Sequence, residues 1–237
     1  MRKLLSFFAY FILLIVFESL GAEPFLPADA SVELSEPTKY VALTFDDGPK
    51  RSTTPLLLDG LLERGASATF FLVGEEIPGN EDLVLRMQRE GHQIGNHTWG
   101  HVRLEGKDIT AHLEQIRKTE ALLIEITGES GHWLRPPYGI IDEATAQKIT
   151  VPMVKWSVDP EDWKSRNTEK AVDAILGAVK PGDIILLHDI YPTSVEAALQ
   201  VIDQLERQGY QFVTVEELLQ LNGISPENGK LIRSAKG

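Results

Sequence analysis

An α/β fold built around a parallel sheet is predicted by three features of the 237-residue sequence. Seven short apolar runs have the length and composition of buried strands, and seven longer stretches place apolar residues three and four apart, as helices do. The two kinds of segment take turns along the chain, which is the pattern of strands and helices wound around a parallel sheet. With 43% hydrophobic residues and no cysteine, the chain must hold itself together by core packing alone.

The chain opens with Met1, Arg2 and Lys3, then an uncharged apolar run from Leu4 to Phe17, then Glu18, Ser19, Leu20, Gly21 and Ala22. A basic start, an apolar middle and a small-residue exit make residues 1–22 a secretory signal, cleaved after Gly21 or Ala22. The run is shorter than the roughly 20 residues that span a bilayer, so an uncleaved anchor is the weaker alternative. The expected destination is outside the cytoplasm: periplasmic, secreted or attached to the cell envelope. Residues 23–38 carry Pro24, Pro27 and Pro37 without any hydrophobic period and read as a linker.

A single domain is expected over residues 39–222. Its strands are Tyr40–Thr44, Ala68–Val73, Gln93–Gly95, Trp133–Arg135, Met153–Ser157, Asp183–Leu187 and Gln211–Thr214. The helices fall at Thr54–Glu63, Glu81–Arg89, Thr110–Ile126, Glu143–Lys148, Glu169–Val179, Ser194–Gln208 and Val215–Leu221. Seven strands of this kind either close into a barrel or lie open as a doubly wound sheet. In both, functional groups collect at the carboxyl ends of the strands. The tail, residues 223–237, is polar and expected to be loose.

The motifs sit at those strand ends. Thr44, Phe45, Asp46, Asp47, Gly48 and Pro49 place two adjacent carboxylates before a turn. Neighbouring side chains of a straight strand face opposite ways, so both can serve one site only if the chain bends there. Otherwise the segment is an exposed Asp-Gly-Pro turn. His97 and His101, four apart, can meet one metal ion through their ring nitrogens. Without cysteine the remaining ligand must be a carboxylate, Asp47 or Asp46. Two histidines and one carboxylate leave open positions for water and substrate. Three further groups follow: Arg135, Pro136, Pro137 and Tyr138; Asp159, Pro160, Glu161, Asp162 and Trp163; and Leu186, Leu187, His188 and Asp189.

Taken in order, these five segments resemble those of the polysaccharide deacetylases with the NodB homology domain, carbohydrate esterase family 4, from about residue 39 to residue 221. The resemblance implies a distorted (β/α)7-type barrel and metal-dependent removal of N-acetyl groups from an N-acetylglucosamine-containing glycan such as peptidoglycan or chitin. It implies Asp46 as general base, Asp47, His97 and His101 as metal ligands, and Arg135 as the partner that orients Asp46. His188 becomes the general acid and Asp162 the carboxylate that keeps it protonated. Tyr138 would present its backbone N–H to the oxyanion, with Pro137 beside it, and Trp163 and Leu186 would line a pocket for the acetyl methyl. Zinc is the expected metal; cobalt, nickel, manganese and iron suit the same ligands. An O-acetyl esterase on acetylated xylan or exopolysaccharide is the alternative, followed by a glycan-binding protein without turnover.

The formal net charge is −12, or −13 once Arg2, Lys3 and Glu18 leave with the signal. That balance argues against nucleic acid as a partner, and the membrane enters only through the N-terminal segment. His92, His112 and His132 lie outside the motifs and are expected on the surface.

Overall fold

The computed structural model describes residues 38–236. The expected signal segment, residues 1–22, and nearly all of the expected linker lie outside the described residues. Among the described residues, no helix is long and apolar enough to cross a membrane.

The strand β1 (Lys39–Asp46) is the axis of the sheet. Leu43–Asp46 pair in parallel with β2 (Ala68–Leu72), which pairs in turn with β3 (Gln93–Asn96). Between these strands run α1 (Thr54–Arg64) and α2 (Glu81–Arg89). After β3 come α3 (Ile109–Thr127), α4 (Glu143–Ala146), β4 (Met153–Val154), α5 (Asp162–Ser165) and α6 (Thr168–Ala178). The strand β5 (Ile184–His188) then returns to pair with β1 over Ala42–Asp46. Next, α7 (Pro192–Glu206) leads to β6 (Tyr210–Phe212), which pairs with the start of β1 and is followed by α8 (Val215–Leu221).

Alternation along β1 divides two layers. Val41, Leu43 and Phe45 belong to the main apolar cluster together with Leu57, Leu58 and Leu61 of α1 and Val201 and Ile202 of α7. Thr44 and Asp46 face the other way and meet Arg135. The period of two in a strand therefore sends one set of side chains to the helix layer and the other into the barrel.

The barrel closes through single bridges as much as through strands. Leu134 bridges Asn96 on one side and Met153 on the other, and Val158 bridges Ile185. The expected strand Trp133–Arg135 is reduced to these contacts because Pro136 and Pro137, lacking N–H donors, end the ladder at once. The expected strand Met153–Ser157 is likewise short: after Val154 the chain changes neighbours, and Ser157 and Val158 bond to Ile184 of β5.

The tail differs most from expectation. Leu231–Ile232 form a strand, β7, that pairs with β4, and Ala235 is buried. The Lys155 N–H donates to Ile232 O, and the Ala235 N–H donates to Gly182 O at 2.7 Å. Lys236 Nζ lies 2.5 Å from the buried Asp183 carboxylate. Gly182 is required here: it has φ 85°, and a Cβ would lie 2.9 Å from the Ala235 carbonyl. The residues from 231 onward thus occupy the gap between β4 and β5, and alternation over so short a stretch gave no sign of it.

The three histidines expected on the surface are buried instead, each with a polar partner. His92 Nδ1 accepts the Ala68 N–H, His112 Nδ1 meets Thr145 Oγ1 at 3.0 Å, and His132 Nδ1 meets Glu120 Oε2 at 3.0 Å.

Candidate active site

Register brings the motif residues together. Asp46 and His188 are direct partners on β1 and β5, so their side chains leave the sheet on the same face. The strand ends at Asp46, and Asp47 takes a left-handed conformation, φ 73°. That bend turns the second carboxylate toward the same cleft as the first. His97 follows the last residue of β3, and His101 sits in a loop, also left-handed at φ 49°. Left-handed backbone at non-glycine residues is costly and is held by its surroundings; Tyr138, which also lines the cleft, and Thr98, next to His97, share it.

Asp47, His97 and His101 offer ligand atoms that all lie within 4.8 Å of one another. Asp47 Oδ1 is 3.6 Å from His97 Nε2 and 3.4 Å from His101 Nε2, and it is buried with no hydrogen-bond partner. His97 Nδ1 bonds to the Arg135 carbonyl at 2.6 Å. A carbonyl can only accept, so the proton sits on Nδ1 and the Nε2 lone pair is left for a cation. Burial, with the repulsion that a protonated His97 would add, lowers the His101 pKa and so favours the neutral ring that ligates. An orphaned carboxylate oxygen beside two free imidazole nitrogens fits a divalent metal.

Asp46 lies at the edge of this cluster, its Oδ2 3.5 Å from His97 Nε2. Its other oxygen accepts from Arg135 Nη1 at 2.7 Å. Arg135 is fully buried; Nη1 also donates to Thr44 Oγ1 at 2.7 Å and Nη2 to the Lys155 carbonyl at 2.9 Å, while the guanidinium sits 4.1 Å from the Phe71 ring centre. Burial works to raise the Asp46 pKa, but Arg135, His97 and His188 together outweigh it and hold the carboxyl below its usual range.

Across the cleft, His188 Nδ1 meets Asp162 Oδ1 at 2.9 Å, and the His188 backbone N–H donates to Asp162 Oδ2 at 2.9 Å. Ser194 Oγ adds a third bond to Oδ2 at 2.6 Å. Burial opposes protonation of His188, yet the Asp162 hydrogen bond and charge, with Asp46 and Asp47 behind them, push its pKa up to about 9. Asp162 is placed by α5, a single turn too short to show a helical period.

The cleft itself measures about 340 Å³. Leu186 and Trp163 line it as expected, with Trp163 46% exposed, and Tyr138 stands half exposed at its mouth. Arg135 and Asp162 lie behind the wall, each holding a residue that does line it. Pro137 is buried and begins the one-turn helix Pro137–Gly139, outside the lining. Trp156 and Tyr191 line the cleft but stand outside the segments read as motifs. Thr44 and Ser194, which brace Arg135 and Asp162, were also not singled out. Thr44 was the more accessible of the two, being the inward neighbour of Asp46 on β1.

Fold and site together define a distorted (β/α) barrel that carries a candidate metal cluster between two partner-held ionisable groups at its strand ends, the buried Asp46 and the partly buried His188. The family model described as Polysaccharide deacetylase matches residues 34–152, and the chain belongs to that family. It is 40% identical over 193 residues to the peptidoglycan-N-acetylmuramic acid deacetylase PdaC of Bacillus subtilis, covering 81% of this chain and 41% of that relative. The chain therefore spans about two-fifths of that protein's length. The solved structure of the Bacillus subtilis peptidoglycan deacetylase PdaC superposes with a TM-score of 0.77 at 40% identity, over 79% of this chain and 93% of that one. A family 4 acetyl xylan esterase from Clostridium thermocellum, in complex with a cobalt ion, superposes with a TM-score of 0.78 at 32% identity, over 83% and 98% of the two chains.

Proposed function

We propose that this protein hydrolyses N-acetyl groups of an N-acetylglucosamine-containing glycan and releases acetate. The observation that carries the reading is the pair of oppositely tuned groups facing one cleft: a carboxylate held ionised by Arg135 and a histidine held protonated by Asp162. Such a split is the arrangement of a general base and a general acid.

Asp47, His97 and His101 hold the metal, with zinc the first choice among ions that suit two histidines and a carboxylate. When bound, the cation polarises the acetyl carbonyl and acidifies the attacking water. Asp46 Oδ2 takes a proton as the water oxygen bonds to the carbonyl carbon. Arg135 keeps Asp46 aimed and ionised, and the Tyr138 N–H donates to the oxyanion. His188 then gives its proton to the sugar nitrogen as the C–N bond breaks, leaving acetate and a free amine. Leu186 and Trp163 receive the acetyl methyl. No serine or cysteine nucleophile is needed, because water attacks directly.

Incubation of the purified protein with N-acetylglucosamine oligomers tests this. Acetate release is expected, stopping with a chelator and returning with added zinc. Release from acetylated xylan alone would favour the O-acetyl ester reading, which the likeness to the acetyl xylan esterase supports. Failure on both substrates by the metal-loaded protein would discard the hydrolase reading.

The acid group makes a second prediction. A histidine pKa raised from 6.5 to about 9 contributes stability fully below about 6.5, and that contribution fades as pH climbs through about 9. Asp162→Asn removes the carboxylate and leaves burial to push the other way. The basic limb of the kcat profile is therefore expected to move to lower pH in Asp162→Asn. An unmoved limb would show that His188 is not the group being titrated.

A further inference from the structure

Asp189, the residue after His188, is fully buried, and nothing in the mechanism above uses it. Its Oδ2 accepts a short hydrogen bond from the Thr54 hydroxyl, while its Oδ1 has no hydrogen-bond partner among the described residues. Among the described residues no lysine or arginine is paired with it. A buried, unpaired carboxyl is unfavourable, so its position calls for a compensating use.

Its neighbours indicate that use. The Asp189 carboxyl is packed onto the Cα of Gly48, where an added Cβ would overlap it and lie 2.8 Å from its Cγ. Gly48 directly follows Asp47. Beyond the turn, the Lys50 N–H donates to Thr54 Oγ1 at 2.8 Å, the same hydroxyl that donates to Asp189. On its near side, the Gly48 carbonyl accepts the Val73 N–H at 3.1 Å. Asp47 itself is held at φ 73°, a left-handed conformation that aspartate adopts more readily than most residues but still at a cost that its surroundings offset. Asp189 and Thr54 thus brace both arms of the turn that presents the Asp47 carboxylate.

From this geometry we infer that Asp189 is a positioning residue for the metal site, fixing the Asp47–Gly48 turn through van der Waals contact with Gly48 and through Thr54. The inference rests on the reading of Asp47 as a metal ligand. It gives the end of β5 two tasks, since His188 faces the cleft while Asp189 supports the opposite wall from beneath.

The test is metal affinity by chelator competition, with zinc and with cobalt, alongside the visible spectrum of the cobalt form and the melting temperature of the metal-free protein. Asp189→Ala is expected to weaken binding by about 10- to 100-fold, the range for lost outer-shell support, and to alter the cobalt bands. Asp189→Asn, which keeps the shape against Gly48 and an acceptor for Thr54, is expected to restore affinity to within about threefold of the wild type. Thr54→Val leaves the carboxyl in place and is expected to weaken binding in the same direction, so the question stays open to measurement if Asp189→Ala does not fold. Wild-type affinity and an unchanged cobalt spectrum in folded Asp189→Ala or Thr54→Val would overturn the inference, even with a lower melting temperature. Wild-type affinity in Asp47→Ala would instead remove the metal-ligand reading on which it stands.

Discussion

Asp46→Asn is expected to lower kcat by at least about 100-fold while the purified variant still carries its metal. The side chain is buried and asparagine has nearly the same volume, so the shape of the group is kept; what goes is its basicity and the charge that pairs with Arg135, the latter at a cost in stability. The amide oxygen can still accept from Arg135 Nη1, which preserves the orientation of the group. What disappears is the ability to take a proton from the attacking water. Acetate release and metal content, measured on the same preparation, separate the possibilities. Loss of turnover with metal retained is the expected result. Loss of both would reassign Asp46 as a ligand, and substantial activity would remove it as the base.

Arg135→Met is expected to be the most destabilising single change at the site, by about 3–5 kcal/mol, the usual consequence of removing one partner from a buried ion pair. It strips three hydrogen bonds from the barrel interior and leaves the Asp46 carboxylate buried without its cation. Asp46 owes its lowered pKa chiefly to Arg135 acting against burial. That contribution to stability is present above the ordinary aspartate range and vanishes as pH falls below it, so the variant should suffer most near neutral pH. The pair is not there for stability alone. Burial lowers the Arg135 pKa even though Asp46 pulls it upward, which marks the desolvation that the arginine bears. Adding Asp46→Asn to Arg135→Met should therefore recover part of the lost stability without recovering activity. Denaturant midpoints of the two single variants and the double variant close the cycle, and simple additivity would mean that the two groups are not coupled.

Much of this site could be read before the fold was known, because its groups are concentrated in short segments at strand ends. Asp46, Asp47, His97, His101 and His188 announce themselves by residue type and spacing. Spacing alone left the third ligand open between Asp46 and Asp47. The left-handed conformation of Asp47 brings both carboxylates to the cleft, and although aspartate adopts it more readily than most residues, spacing did not mark this one of the two for it. Asp189 stood in the quoted segment without a role, since its purpose depends on Gly48 and Thr54, far away in sequence. β1 was legible as a strand because a segment buried on both faces is almost wholly apolar, but for the same reason its sequence did not show which side chains face the helices and which the barrel. Closure of the barrel was not legible: a ladder of one residue, such as that at Leu134, has no period at all. The polar composition of the tail concealed β7 for the same reason, and His92, His112 and His132 were misplaced because local sequence does not reveal a buried polar partner.

The insertion of β7 between β4 and β5 has a consequence for how the protein is made. Ser157 and Val158 join the segment after β4 directly to β5, but the seam beside Met153 and Val154 is left for β7 to fill. This last stave comes from residues 231–232, more than forty residues after β5. A chain emerging from the ribosome can complete β1, β2, β3 and β5 and still have an open seam beside the interior that holds Arg135. The pairing of β7 with β4 waits until residues 231–232 have been made, as slow non-local pairing generally does. A chain cut before residue 231 would lack the partner of Met153 and Val154 and leave that edge of β4 unpaired.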